Sequence, residues 1–223
     1  MSEAVRLMDR EEPSQTGRVV SAKGSNSTEQ AAIRICQSGD ISGLETLYEM
    51  YSEKVFRTCY RILGDHAAAE DQTHEVFLRV FQKIDRFRGR STFSTWLYRL
   101  TVNQTLNRLR SRKRRLIKML GMDFLEGKPA KEPAPDREVL RKEQADDVQE
   151  MLSGLSVEHR TVLILREIEE LSYAEIADVL DIPQGTVMSR LHRARCELRT
   201  SFSSRNTEDQ TGVQIERGDK IGE

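Results

Sequence analysis

LSYAEIADVLDIPQGTVMSRLHRARCELR, residues 171 to 199, reads as two short helices joined by a tight turn. Ser172 is a good N-cap, and Glu175 three residues on completes a capping box. Ile176, Ala177, Val179 and Leu180 then fall at helical spacing. Asp181-Ile182-Pro183 stops the helix, because the residue before a proline is pushed out of the α region. Gln184-Gly185-Thr186 opens the second helix, with Thr186 as candidate N-cap and as a phosphate contact at the helix N-terminus. Val187, Leu191, Ala194 and Leu198 should face inward, which leaves Ser189, Arg190, His192, Arg193 and Arg195 outward. A basic second helix of such a pair suits the major groove of DNA. Base contacts are expected from Ser189, His192 and Arg193, and phosphate contacts from Arg190 and Arg195. The competing reading is an amphipathic helix whose arginines are merely solvated.

Only 37% of the 223 residues are apolar, which suits one or two small cores rather than a single large one. The net charge of −1 shows no overall basic balance, so the distribution has to decide. Arg86 to Lys118 holds eleven Lys or Arg and no acid, whereas Asp123 to Glu150 holds nine acids against five bases. Cys36, Cys59 and Cys196 are scattered and offer neither a CxxC pair nor metal-ligand spacing. Reduced cysteines in a cytoplasmic protein without metal or cofactor are expected. There is no apolar run of about 18 residues to span a membrane. The charged N-terminus lacks the apolar core of a signal peptide.

Residues 1–27 are mixed polar sequence, expected to be a disordered extension. Helical pattern fills 28–116, with helices at Glu29 to Ser38, Ile41 to Leu63 and His66 to Phe87. A fourth is capped by Thr92 or Ser94 and runs to about Leu116. Residues 117–138 lose periodicity and carry Pro129, Pro133 and Pro135, as a flexible linker would. Helical pattern resumes over 139–203, and 204–223 are expected to be a disordered tail. No strand pattern or repeat stands out. The fold class is all-α: two small helical domains joined by a flexible linker.

A second constellation is RFRGRSTFSTWLYRLTVNQTLNRLRSRKRR, residues 86 to 115. Arg88, Arg90 and Arg99 can bind phosphates and release counterions. Phe93 and Trp96 can receive unstacked bases, at roughly 1–3 kcal/mol per base. Asn103 and Asn107 share a helical face and can hydrogen-bond base edges. The composition fits opened DNA better than duplex. The competing reading makes Phe93 and Trp96 core residues beneath a solvated arginine face. Just upstream, Glu70, Asp71 and Glu75 lie on a helix with Arg79. With no His or nucleophile at useful spacing, they suggest an acidic face that docks a basic partner, not acid–base chemistry. Ordinary solvated helix charge is the alternative. The sequence has no glycine-rich phosphate loop and no nucleophile–His arrangement, which speaks against an enzyme.

Together these residues resemble an extracytoplasmic-function (ECF) sigma factor of bacterial RNA polymerase, in the sigma-70 family. The stretch from LETLYEMYSEKVF through LRSRKRR resembles region 2, and LSGLSVEHRTVLILREIEE through SRLHRARCELR resembles region 4. The resemblance implies a non-enzymatic initiation subunit. Glu70, Asp71 and Glu75 would dock on the clamp helices of the polymerase largest subunit. Arg88, Arg90, Phe93, Trp96, Arg99, Asn103 and Asn107 would hold the melted −10 element. Thr186, Ser189, Arg190, His192, Arg193 and Arg195 would read the −35 element, and their domain would also bind the polymerase flap. An anti-sigma factor is a further implied partner. Two departures stand out. Met188 replaces a Lys or Arg that many relatives carry, and Asp181 replaces the frequent turn glycine. Aspartate tolerates a left-handed backbone better than most residues, so the turn should survive. An ordinary helix-turn-helix regulator with a sensory first domain is the runner-up. It has no need of an acidic helix followed directly by a basic aromatic stretch over 64–107.

Overall fold

Asp40 and Asp65 each start a helix by accepting backbone N–H bonds, from Ser42 at 2.9 Å and Ala68 at 2.7 Å. Gly64 ends the helix between them in the left-handed region, at φ 74°, and its N–H returns to the Tyr60 carbonyl at 2.8 Å. The computed structural model describes residues 23–119 and 143–212. The expected linker beyond Met119, the first residues of the expected second domain (139–142), the start of the N-terminal extension and the last residues of the tail lie outside them.

The first unit comprises α1 (Lys23–Gln37), α2 (Ile41–Leu63), α3 (His66–Lys83), a 3-10 turn (Ile84–Arg86) and α4 (Phe93–Met119). The second comprises α5 (Glu143–Ser153), α6 (Val157–Leu163), a π-helical turn (Ile164–Ile168), α7 (Tyr173–Leu180) and α8 (Gln184–Gly212). No strand occurs among the described residues, and none of their helices is long and apolar enough to cross a membrane. Four boundaries differ from the sequence reading. The first helix starts at Lys23, the third yields to the 3-10 turn after Lys83, the fourth runs to Met119, and the last continues to Gly212.

Leu47, Val55, Cys59, Val76 and Val80 are wholly buried between α2 and α3. Each buried aliphatic side chain of this kind contributes roughly 1.5–3 kcal/mol. Gln37 ties α1 to the end of α3 by donating to the carbonyls of Ile84 at 2.9 Å and Phe87 at 3.0 Å. In the second unit Val162, Ile176, Val179, Val187, Leu191 and Ala194 form the core. The two units meet along a seam where Ile62, Tyr98 and Val102 of the first join that second core.

Gly43 lies where α1 crosses α2. A Cβ there would stand 2.4 Å from the Ala32 carbonyl oxygen and 2.5 Å from the Cys36 nitrogen. Both are backbone atoms that cannot step aside, so Gly43→Ala should lower stability by about 1–3 kcal/mol in a urea titration. Burial pushes the Cys59 thiol up to about 11, against smaller opposing effects from the Thr105 and Thr73 hydroxyls and Arg108. Cys196 is exposed. A thiol reagent at neutral pH should therefore label Cys196 and leave Cys59 unmodified until the chain unfolds, as read by mass spectrometry.

Candidate nucleic-acid interface

The loop entering α4 carries the first basic group. Gly89 turns the chain there at φ 67°, and Arg86, Arg88 and Arg90 are exposed. Thr92 caps α4, its hydroxyl accepting the Thr95 N–H at 3.1 Å. Phe93, the first residue of the helix, is only 2% exposed. Its ring meets Tyr51 edge-on at 5.4 Å and Phe87 at 5.7 Å. The expectation that Phe93 stacks on a base is therefore corrected: the ring anchors α4 to α2. Trp96 is half-buried against Phe87 and Phe93, with centroids at 5.5 and 5.7 Å, and keeps part of its surface open.

Further along α4, Asn103 and Asn107 are exposed as expected. Arg99 is not free, because it pairs with Asp178 of α7 at 3.5 Å. Asn107 lines an open cleft of about 260 Å³ between α3 and α4, with Gln72, Glu75, Arg79, Gln104 and Arg108. Polymerase docking by Glu75 and base contact by Asn107 are different tasks, yet the fold places both residues in one cleft. Asp71 lies beside it, paired with Arg108 at 3.2 Å, and Glu70 stands 3.6 Å from His66. Gln72 and Gln104 escaped the sequence reading. Gln72 is 3% exposed and donates to the Gln104 side-chain oxygen at 3.5 Å. A polar residue inside the apolar stripe Ala69, Thr73 and Val76 was the available signal.

In the second unit the capping box is present. The Ser172 hydroxyl accepts the Glu175 N–H at 3.2 Å, and the Glu175 carboxylate accepts the Ser172 N–H at 2.9 Å. Burial works against the charged Glu175, but donors from Ser172 and Thr95 outweigh it and hold the carboxyl below its ordinary range. Asp181 occupies the turn at φ 54° and ψ 50°, the left-handed conformation that its side chain tolerates. Helix α8 begins at Gln184, directly after Pro183, whose missing N–H suits the helix start. Thr186 thus lies inside the first turn, with its N–H on the Pro183 carbonyl at 2.8 Å. It is not the N-cap.

Val187, Leu191, Ala194 and Leu198 face inward, as read. Ser189, His192 and Arg193 are exposed, Arg190 is half-buried, and Met188 is 49% exposed beside them. Arg195 departs from expectation. It forms a 2.7 Å ion pair with Glu167, whose side chain is only 4% exposed. The residue follows Ala194 on the border of the buried stripe, so its guanidinium reaches the π-turn instead of solvent.

Residues 47–115 match the family described as Sigma-70 region 2, and residues 145–198 match Sigma-70, region 4. The ECF RNA polymerase sigma factor SigW of Bacillus subtilis strain 168 is 35% identical over 173 residues, covering 75% of this chain and 92% of that protein. The chain belongs to the ECF group of the sigma-70 family. The ECF RNA polymerase sigma-E factor of Escherichia coli K12 is likewise 35% identical, over 75% of this chain and 91% of its own. Two solved structures share the fold at a TM-score of 0.57. CnrH in complex with the cytosolic domain of CnrY is 21% identical over 79% of this chain and 98% of that one. Sigma factor RpoE in complex with the anti-sigma factor NepR, from Bartonella quintana, is 23% identical over 71% and 96%. ECF sigma factors direct RNA polymerase to specific promoters and help it begin transcription, and that is the function of this chain.

The Arg195–Glu167 pair separates structural from surface arginines on α8. Arg195→Ala leaves a buried carboxylate unpaired and should destabilise the protein by about 1–3 kcal/mol. Arg193→Ala, on the exposed face, should stay within about 0.5 kcal/mol of the parent in the same thermal melt.

Proposed function

We propose that the two units divide promoter recognition between them. The first unit, taken as 28–116, docks on the polymerase clamp through Glu70, Asp71 and Glu75. It holds the melted −10 strand with Arg88, Arg90, Trp96, Arg99, Asn103 and Asn107. The second, taken as 139–203, reads the −35 duplex with Ser189, Arg190, His192 and Arg193, and binds the polymerase flap. Thr186 contributes from the first turn of α8, while Arg195 shapes the helix and does not touch DNA. The subunit works in the cytoplasm, has no catalytic centre and needs no cofactor. Its two modules gain affinity by being tethered to one polymerase.

The observation that carries this reading is the exposed trio Ser189, His192 and Arg193 on a helix-turn-helix, within a chain whose other unit bears an acidic helix face beside a basic helix. An anti-sigma partner is part of the proposal. The sigma factor RpoE solved in complex with the anti-sigma factor NepR supports it.

Run-off transcription with core polymerase and a randomised promoter library tests the assignment. The complete chain should yield two enriched elements. Arg193→Ala should relax the preference within the upstream one, costing roughly 1–3 kcal/mol if it reads a base. Charge reversal at Glu70, Asp71 and Glu75 together should abolish transcripts from every promoter alike while leaving the melting temperature near that of the parent.

A further inference from the structure

Helix α8 turns one large apolar side chain to solvent. Met188 is 49% exposed, and among the described residues of the second unit no other large apolar side chain stands as open. It adds nothing to the core, which Val187, Leu191, Ala194 and Leu198 fill from the inward side of the helix. Met188 and Ser189 both lie one helical turn past Gly185, since residues three and four apart are neighbours on a helix. Gly185 is exposed, and a Cβ added there would meet nothing within 4 Å. Its backbone is not left-handed. Glycine is a poor helix former, and here neither a turn nor a crowded neighbour asks for it. What it does allow is close approach of another body to the helix. Ser189 is exposed, and its hydroxyl donates to the Thr186 carbonyl at 3.0 Å, which commits the proton and leaves the oxygen an acceptor. The result is a shallow seat over Gly185, with an apolar wall at Met188 and a hydrogen-bond acceptor at Ser189.

We infer that this seat takes the C5-methyl group of one thymine in the upstream promoter element, and that Met188 thereby selects an A·T pair at that position. Thymine alone among the four bases puts a methyl group into the major groove, and the adenine opposite offers an amino donor. Those two groups complement Met188 and Ser189 in turn. Cytosine at the same place presents a bare C5 and an amino group, whose water Met188 would displace without replacing its hydrogen bond. Methionine suits the task because its unbranched, polarizable side chain adapts its shape to a small apolar group. The contact carries no charge, so the preference for thymine does not fade as salt rises, unlike contacts to phosphates. The inference rests on the assignment of α8 to the −35 duplex and names the base pair that one of its side chains reads.

Transcription by core polymerase with the full chain tests this on a promoter recovered from the randomised library. Each thymine of the upstream element is replaced singly by deoxyuridine, which keeps every hydrogen-bonding edge and removes only the methyl group. At subsaturating polymerase one thymine should prove sensitive, with transcript yield falling about 4-fold for the loss of one buried methyl group. The same ratio should hold at low and high salt. Met188→Ala, and Gly185→Ala, which fills the seat with a methyl group of its own, should each bring the ratio at that position below about 2-fold, the margin for uncoupled groups. Both variants should melt no lower than the parent, because alanine favours the helix. A deoxyuridine effect that persists in Met188→Ala overturns the role of Met188. An upstream element that still depends on Arg193 but contains no sensitive thymine overturns the seat and leaves the −35 assignment of α8 standing. Recovery of no upstream element, with transcription indifferent to Arg193→Ala, overturns that assignment and this inference with it.

Discussion

The apolar seam around Tyr98 is the contact on which the relation of the two units depends. Ile62, Tyr98 and Val102 are shared with a core otherwise built from Leu163, Leu165, Ile176 and their neighbours. The seam also completes the C-terminal end of α2. Helix ends leave carbonyls without intrahelical partners. Here Arg160 donates to the Ile62 carbonyl at 2.9 Å and Gln149 to that of Arg61 at 3.4 Å. Arg160 also reaches the carbonyls of Ser153 and Leu155. One guanidinium therefore ends a helix of the first unit and braces the α5–α6 turn of the second. A cation suits that place, because the carbonyl end of a helix carries partial negative charge.

Helix α4 answers to three surroundings at once: the first core, the seam and solvent. Its sequence shows the compromise. Thr95, Thr101 and Thr105 are buried where aliphatic residues would ordinarily stand. Thr101 and Thr105 donate to the carbonyls four residues back, at 2.9 and 2.7 Å, so their hydroxyls need no distant partner. Phe93 anchors the start of the helix, and the arginines crowd its exposed second half. Such a helix can lose its neighbour at the seam without losing its hold on α2 and α3.

Legibility followed the range of the interaction. The capping box at Ser172 and Glu175, the left-handed turn at Asp181 and the inward stripe from Val187 to Leu198 are short-range features, and each was readable from spacing. The helices of the first unit were legible for the same reason, apart from boundaries of a few residues. For Phe93, Arg195 and Arg99 the sequence did not show the partner that each side chain meets within the fold. In each case the deciding partner, Tyr51, Glu167 or Asp178, lies many residues away, and no local pattern points to it. Thr186 failed for a subtler reason, since Pro183 starts the helix before a hydroxyl is needed as cap.

The order of residues by itself determined an all-α chain with a helix-turn-helix, a basic aromatic helix and an acidic helix in front of it. Helical periodicity, caps and breakers act within a few residues and write themselves into the sequence. Tertiary structure alone decided which arginines face outward, that Glu75 and Asn107 share one cleft, and that Glu175 serves a helix cap and an interunit contact together. Those outcomes depend on which surfaces meet. Apolar burial drives that meeting without regard to direction, and the polar pairs form only after the seam has brought them within reach.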